Sequence, residues 1–117
     1  MRETQKEIRQ RYIQMLAEER PRFLGKGYSI TEFAADLGTN RSYASRFVNK
    51  ELKISFPSLL TRLRLAHFLR LKEEKPKALI KTLAAECGFS SPFSFRRAFE
   101  RTYGTTPTEY FKNKKGE

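Results

Sequence analysis

Apolar residues recur at i, i+3, i+4 and i+7 in two short stretches that line up with one another, "ITEFAADLG" (Ile30 to Gly38) and "IKTLAAECG" (Ile80 to Gly88). The stripe is Ile30, Phe33, Ala34 and Leu37 in the first and Ile80, Leu83, Ala84 and Cys87 in the second. This spacing predicts a short amphipathic helix in each, closed by a glycine that enters the left-handed region without a Cβ penalty. Ser29 and Glu32 predict a capping box for the first helix. Leu79 stands where the second should be capped, which places its expected start nearer Pro76.

The correspondence continues once one extra residue is allowed in the second turn. "NRSYASRFVNK" (Asn40 to Lys50) then faces "SPFSFRRAFER" (Ser91 to Arg101), pairing Ala44 with Phe95, Arg46 with Arg97 and Val48 with Phe99. Each opens on an N-cap residue, and the second has Pro92 at the favoured first helical position. A further helix start follows each, at Ser55 before "FPSLLTRLRLAHFLRLK" and at Thr106-Pro107 with Glu109. Helix, tight turn with Gly, helix, then a third helix, repeated after about 50 residues, predicts tandem helix-turn-helix units.

Between the units, Leu59, Leu60, Leu63, Ala66 and Leu69 predict the core stripe of one long helix over about 56–72, which would span roughly 25 Å. Upstream, Ile8, Tyr12, Met15 and Leu16 predict a first helix that packs on the first unit and ends in the Pro21–Gly27 stretch. The expected fold is all-α, two helix-turn-helix subdomains joined by a long linker helix. Its expected parts are an N-terminal helix and connection (1–27), a first unit (28–54), the linker helix (55–75) and a second unit with a C-terminal helix (76–117).

In 117 residues with ten Phe there is room for a modest core only. The formal charge of +11 is unevenly placed: residues 1–39, 40–77 and 78–117 contribute +1, +7 and +3. A basic, aromatic-bearing chain suggests nucleic acid first, then an anionic membrane surface or an acidic protein. The single cysteine allows no internal disulfide and fits a reducing compartment. Without a long apolar run or a signal-type start, the expected location is the cytoplasm. His67 is the only His and Asp36 the only Asp, while Cys87 lies on a buried stripe. No metal set or nucleophile–base pair can be assembled from these, so neither an enzyme nor a cofactor is expected. His67 itself is read as a helix-surface or boundary residue.

The second helix of each unit has a polar outer side. In the first, Tyr43, Ala44, Phe47 and Val48 form the buried stripe, leaving Ser42, Ser45, Arg46 and Asn49 opposite, with Arg41 at the edge. In the second, Phe95, Ala98 and Phe99 are buried and Phe89 packs at the turn, leaving Phe93, Ser94, Arg96, Arg97 and Glu100 near or on the outside. Such faces suit base edges and phosphates, through arginine–guanine pairs and contact of a ring with a thymine methyl. Plainer readings stand beside this one. Phe93 could be a fourth core ring, Arg46 and Arg97 could form surface ion pairs with Glu51 or Glu100, and Ser42 and Ser45 could be surface filler. Thr31, Lys81 and Thr82, near helix starts, are candidate phosphate contacts, as are Lys50 and Arg101. Arg62, Arg64 and Arg70 on the long helix are read as structural or solvated, with one of them available to a phosphate.

The stretches "AAECGFSS", "FRRAFERTYGTTPTEYF", "LGTNRSYASRFVNKEL" and "RLRLAHFLRL" together resemble the DNA-binding domain of the AraC/XylS family of bacterial transcription regulators, over about Tyr28 to Lys112. The resemblance implies about seven helices, homeodomain-like units, and two recognition helices entering successive major-groove segments of double-stranded DNA. Its base-contacting positions fall on Arg41, Ser42, Ser45, Arg46, Phe93, Ser94, Arg96 and Arg97. It also implies transcription regulation, activation above all, and an N-terminal sensor or effector domain in a longer protein. RNA polymerase is a further possible partner. Lys53 stands where the family often has Gly, Pro92 and Phe93 replace residues that are often polar, and Leu79 replaces a usual cap. The alternative function is a helix-turn-helix interaction module that binds polymerase or another regulator, which would need an exposed apolar patch on the recognition helices.

Overall fold

The structure, a computed structural model, describes residues 5–115; the outermost residues of the first and last expected parts, 1–4 and 116–117, lie outside it. Seven α-helices and no strand occur among the described residues: α1 (Gln5–Leu16), α2 (Ile30–Asp36), α3 (Arg41–Arg46), α4 (Phe56–Glu74), α5 (Ile80–Glu86), α6 (Pro92–Tyr103) and α7 (Pro107–Lys115). A 3-10 turn at Arg22–Leu24 follows α1, and a π-helical turn at Phe47–Glu51 extends α3. The chain divides into two compact units, Met1–Leu60 and Thr61–Glu117, with the division falling inside α4.

In the first unit the capping box at Ser29 forms as the sequence predicts: its hydroxyl accepts from Thr31 N and the Glu32 carboxylate accepts from Ser29 N at 2.8 Å. The Ser29 hydroxyl also donates to the Glu32 carboxylate, and this bond first, then that from Ser29 N, holds the Glu32 carboxyl below its ordinary range. α1 docks through Ile8 and Met15, both buried, and through Tyr12, whose ring lies 5.3 Å from Phe47 and 6.3 Å from Phe33. Leu16, expected on the same stripe, is exposed, because α1 turns into the connection there. Arg11 donates to the carbonyls of Leu37 and Gly38 at 3.0 and 3.3 Å, capping the C-terminus of α2. Gly38 has φ +70°, and a Cβ there would run into that guanidinium. The only Asp is a staple: Asp36 accepts from Tyr28 Oη at 2.7 Å and pairs with Arg22.

The turn after α3 is closed by an unusual residue. Lys53 adopts φ +56°, and Ile54 N donates to Val48 O at 3.2 Å, a closure one residue wider than the Schellman bond because the turn before it is π-helical. This conformation explains why glycine suits the position, since a side chain there costs about 1–2 kcal/mol. Lys53→Gly is therefore expected to stabilise the chain by about 0.5–1 kcal/mol, after subtracting the extra freedom glycine has when unfolded. Thermal denaturation checks this, and a lowered melting temperature would contradict it.

The second unit is built on rings. Phe68, fully buried, lies 4.6 Å from Phe95, 6.3 Å from Phe99 and 6.1 Å from Phe111, and Tyr103 and Tyr110 complete the cluster around Phe99. The turn Gly88 has φ +93°, as Gly38 does in its own unit at +70°. Three expectations need correction here. α5 begins at Ile80 with Leu79 as an N-cap that makes no side-chain hydrogen bond, so its start is not displaced toward Pro76. Lys72 Nζ instead ties the connection by donating to Pro76 O at 2.8 Å and Ala78 O at 2.6 Å. The stripe of α4 is also shifted: Leu59 is buried, but farther along the buried residues are Leu65, His67 and Phe68, while Leu60, Leu63 and Leu69 are half-buried and Ala66 is exposed. The large ring of Phe68 claims the interior, and Ala66 has too little surface to compete.

His67, expected at the helix surface or a boundary, is only 7% exposed, with Nδ1 3.1 Å from Arg70 Nη2. Burial, and then the Arg70 charge, push its pKa down, against a smaller opposing effect of Glu74. A histidine lowered in the folded state leaves stability flat above its ordinary pKa of about 6.5 and makes it fall as the pH drops below that, because the unfolded chain takes up the proton first. His67→Gln is expected to flatten the pH dependence of the melting temperature between about pH 6.5 and 5; an unchanged slope would place the titration elsewhere.

Candidate nucleic-acid interface

The second helix of each unit is set by its own cap. Asn40 Oδ1 accepts from Tyr43 N at 2.9 Å and starts α3. At α6, Ser91 Oγ accepts from Ser94 N at 3.0 Å, and the Ser94 hydroxyl both accepts from Ser91 N at 3.3 Å and donates to Ser91 O at 3.0 Å. Ala44 and Phe95, paired in the repeat, are both buried, as are Val48 and Phe99. These contacts fix which side of each helix faces out.

On α3, Arg41, Ser42 and Arg46 are exposed and Ser45 is half-buried, with Asn49 and Lys50 exposed on the turn that follows. Tyr43, read as buried, is half-buried, and its ring lies 5.8 Å beneath the Arg46 guanidinium. Glu51 is bonded by Arg9 at 3.2 Å, so the surface pair considered for Arg46 is made by another arginine.

On α6, Phe93 is 67% exposed, so it is an outward ring and not a fourth core ring. The Arg97 guanidinium lies 5.6 Å from its centroid, and the Glu100 pair is made by Arg96, at 3.0 Å. The two arginines matched by the repeat thus each lie over an aromatic ring of their own helix, within the range of a cation–π attraction. Stacking of this kind narrows the positions each guanidinium samples while leaving its N–H fork in place for an acceptor.

The remaining candidates separate by surroundings. Ser94 is half-buried with its hydroxyl engaged in the cap, so any contact it made would share that hydroxyl with the cap. Thr31 is exposed, but its amide already donates to Ser29, and the Glu32 carboxylate occupies that helix start. Lys81 and Thr82 are exposed on the first turn of α5, where no side chain caps the helix, and Arg101 is exposed on the last turn of α6.

One feature escaped the sequence reading. Arg64, Ser90, Phe93, Arg97 and Arg101 line a cleft of about 390 Å³ in the second unit. Arg64 comes from α4, and no local pattern connects it to α6, so only the folded chain brings these groups together. A larger apolar groove of about 780 Å³, bordered by Leu69, Ile80, Tyr110 and Phe111, has no α6 residue in its lining. The Cys87 thiol is buried and pushed up to about 12, by burial first and then by Glu86. No group of three His, Cys, Asp or Glu side chains is placed to hold a metal ion among the described residues, and no helix there is long and apolar enough to cross a membrane.

Comparison with known proteins places this geometry. The chain matches a helix-turn-helix domain family over residues 33–113. It is 26% identical over 88 residues to the Msm operon regulatory protein of Streptococcus mutans, covering 75% of this chain and 31% of that protein. It is 46% identical over 52 residues to the probable transcriptional regulator LumQ of Photobacterium leiognathi, covering 44% of this chain and 20% of that one. The chain therefore spans about a third or less of the length of these curated relatives. Its fold is similar to the C-terminal domain of AraT, a response regulator from Geobacillus stearothermophilus, with a TM-score of 0.71 at 24% identity over 92% of this chain and 84% of that one. It is also similar to a protein of unknown function from Listeria innocua, with a TM-score of 0.66 at 27% identity over 90% and 95% of the two chains. That family is one of DNA-binding regulators and is not an enzyme class. With its two glycine-turn units, its capped second helices and a family match over most of its length, the chain belongs to the AraC/XylS family of transcription regulators, as their C-terminal DNA-binding domain.

Proposed function

We propose that this domain reads a specific double-stranded DNA site with α3 and α6, each placed in the major groove, on two successive segments of one duplex. The observation that carries the reading is the matched pair of ring-supported arginines, Arg46 over Tyr43 and Arg97 over Phe93, at equivalent places in two copies of one unit. A guanidinium held this way is suited to bidentate bonding of guanine O6 and N7. Arg41, Ser42, Ser45, Phe93, Ser94 and Arg96 are the other proposed base-contacting residues, Ser94 through a hydroxyl shared with its cap. Thr31, Lys50, Lys81, Thr82 and Arg101 are the proposed phosphate contacts, which set affinity without reading sequence. The working parts of the chain are 28–54 and 76–117, with 1–27 supporting the first and 55–75 joining the two.

The resemblance supports activation as the mode of regulation. The partners this reading calls for are DNA, RNA polymerase, and a sensor or effector domain in the full-length protein, acting in the cytoplasm. Selection of bound duplexes from a random pool, at low and near-physiological salt, tests it. Enrichment of two blocks about one helical turn apart supports bipartite reading. Binding with no enriched sequence, fading steeply with salt, would leave a basic surface alone. The exposed Phe93 favours a second reading, a protein-interaction module, which predicts that Phe93→Ala weakens capture of polymerase while leaving DNA affinity unchanged.

A further inference from the structure

The cleft in the second unit differs in kind from the exposed face of α6. Its arginines come from two elements, Arg64 from α4 and Arg97 and Arg101 from α6, and no carboxylate is among its lining residues. Thr61, Ser90 and Ser94 are among the same lining residues, Ser94 with its hydroxyl engaged in the cap, and Gly88, with φ +93°, leaves the turn there without a side chain. A site of this composition accepts an oxyanion: forked cationic donors, neutral hydroxyls and nothing that repels negative charge. At about 390 Å³ it is open and shallow enough for a phosphodiester that stays attached to its chain.

We propose that this cleft is the seat of one DNA backbone phosphate, held by Arg64 and Arg101, with Arg97 at its rim free to turn toward a base. The seat would hold α6 against the backbone and add affinity on any sequence, without itself reading a base. Arg64 is half-buried, and burial lowers its pKa, a cost that a bound anion relieves. Its neighbour Cys87 stays a neutral thiol and brings no negative charge of its own. The inference rests on the DNA-binding reading and adds a residue to it, because Arg64 lies outside both recognition helices.

Three variants and one chemical substitution test it, using the duplex recovered by selection. Arg64→Met keeps the aliphatic stem and removes the charge; it is expected to weaken binding about tenfold to a hundredfold, equally on the selected and a random duplex. The slope of log K against log salt should become shallower by about 0.9, the value for one phosphate. Arg64→Lys should keep that slope. A methylphosphonate scan of the duplex should show one position where neutralising the phosphate weakens the wild-type chain and leaves Arg64→Met unaffected. Arg101→Ala, at an exposed helix end, should show the same insensitivity and covers the case in which Arg64→Met lowers the melting temperature. An unchanged salt slope in both variants, or a methylphosphonate profile identical to wild type, would overturn the phosphate seat while DNA binding stands. Failure of the wild-type chain to bind any duplex would instead overturn the reading on which it rests.

Discussion

Arg46→Ala combined with Arg97→Ala is expected to lower affinity for the preferred duplex by about 2–6 kcal/mol, against about 1–3 kcal/mol for either change alone. Near-additivity follows from their separate surroundings: Arg46 lies over Tyr43 in one unit and Arg97 over Phe93 in the other, with no shared partner. Each guanidinium is solvent-exposed, so its loss leaves the core intact and the melting temperature close to that of the wild type. Titration against the selected duplex and a random one separates two roles. A base-reading arginine loses its preference at one block, whereas a phosphate-holding one loses affinity evenly on both duplexes. An even loss in both single variants would remove base recognition from the repeat-matched pair.

Phe68→Ala is expected to cost about 3–5 kcal/mol of stability, the range for removing a fully buried ring. Phe68 is 0% exposed and lies among Phe95, Phe99 and Phe111, so truncation leaves a cavity bounded by rings that cannot close over it. A unit of this size holds only a few kcal/mol in all, so such a loss would unfold it. α6 depends on the same cluster, and DNA recognition by the second block should vanish with it. Phe68→Leu, which keeps most of the volume, should cost far less. Circular dichroism melts and a footprint of the two blocks check this. A melting temperature within a degree or two of the wild type would mean that Phe68 is not the centre of the unit.

Much of this molecule was legible in its sequence because the relevant interactions are short. The capping box of Ser29 and Glu32, the Asn40 and Ser91 caps, the Pro107 start and the turn glycines all act within about four residues, and each formed where the residue types predict. The repeat supplied the rest: aligning Ala44 with Phe95 and Val48 with Phe99 determined the buried sides of α3 and α6, and with them the outward direction of Arg46 and Arg97. Lys53 shows the same logic at a mismatch, since the position keeps a left-handed backbone even though the residue is not Gly.

The sequence by itself therefore determined the helices, the order of the two units, the family and the exposed faces of α3 and α6. Tertiary structure alone decided the rest. It set which side of α4 is buried, because rings distant in sequence compete for the same interior and Phe68 wins over Ala66. It buried His67 and made Phe93 an outward ring on which Arg97 rests. It also brought Arg64 to a cleft with Arg97 and Arg101, across more than thirty residues of chain. Helix periodicity and capping depend on neighbours a turn away, whereas burial and the convergence of charge depend on volumes and positions that exist only once the elements pack.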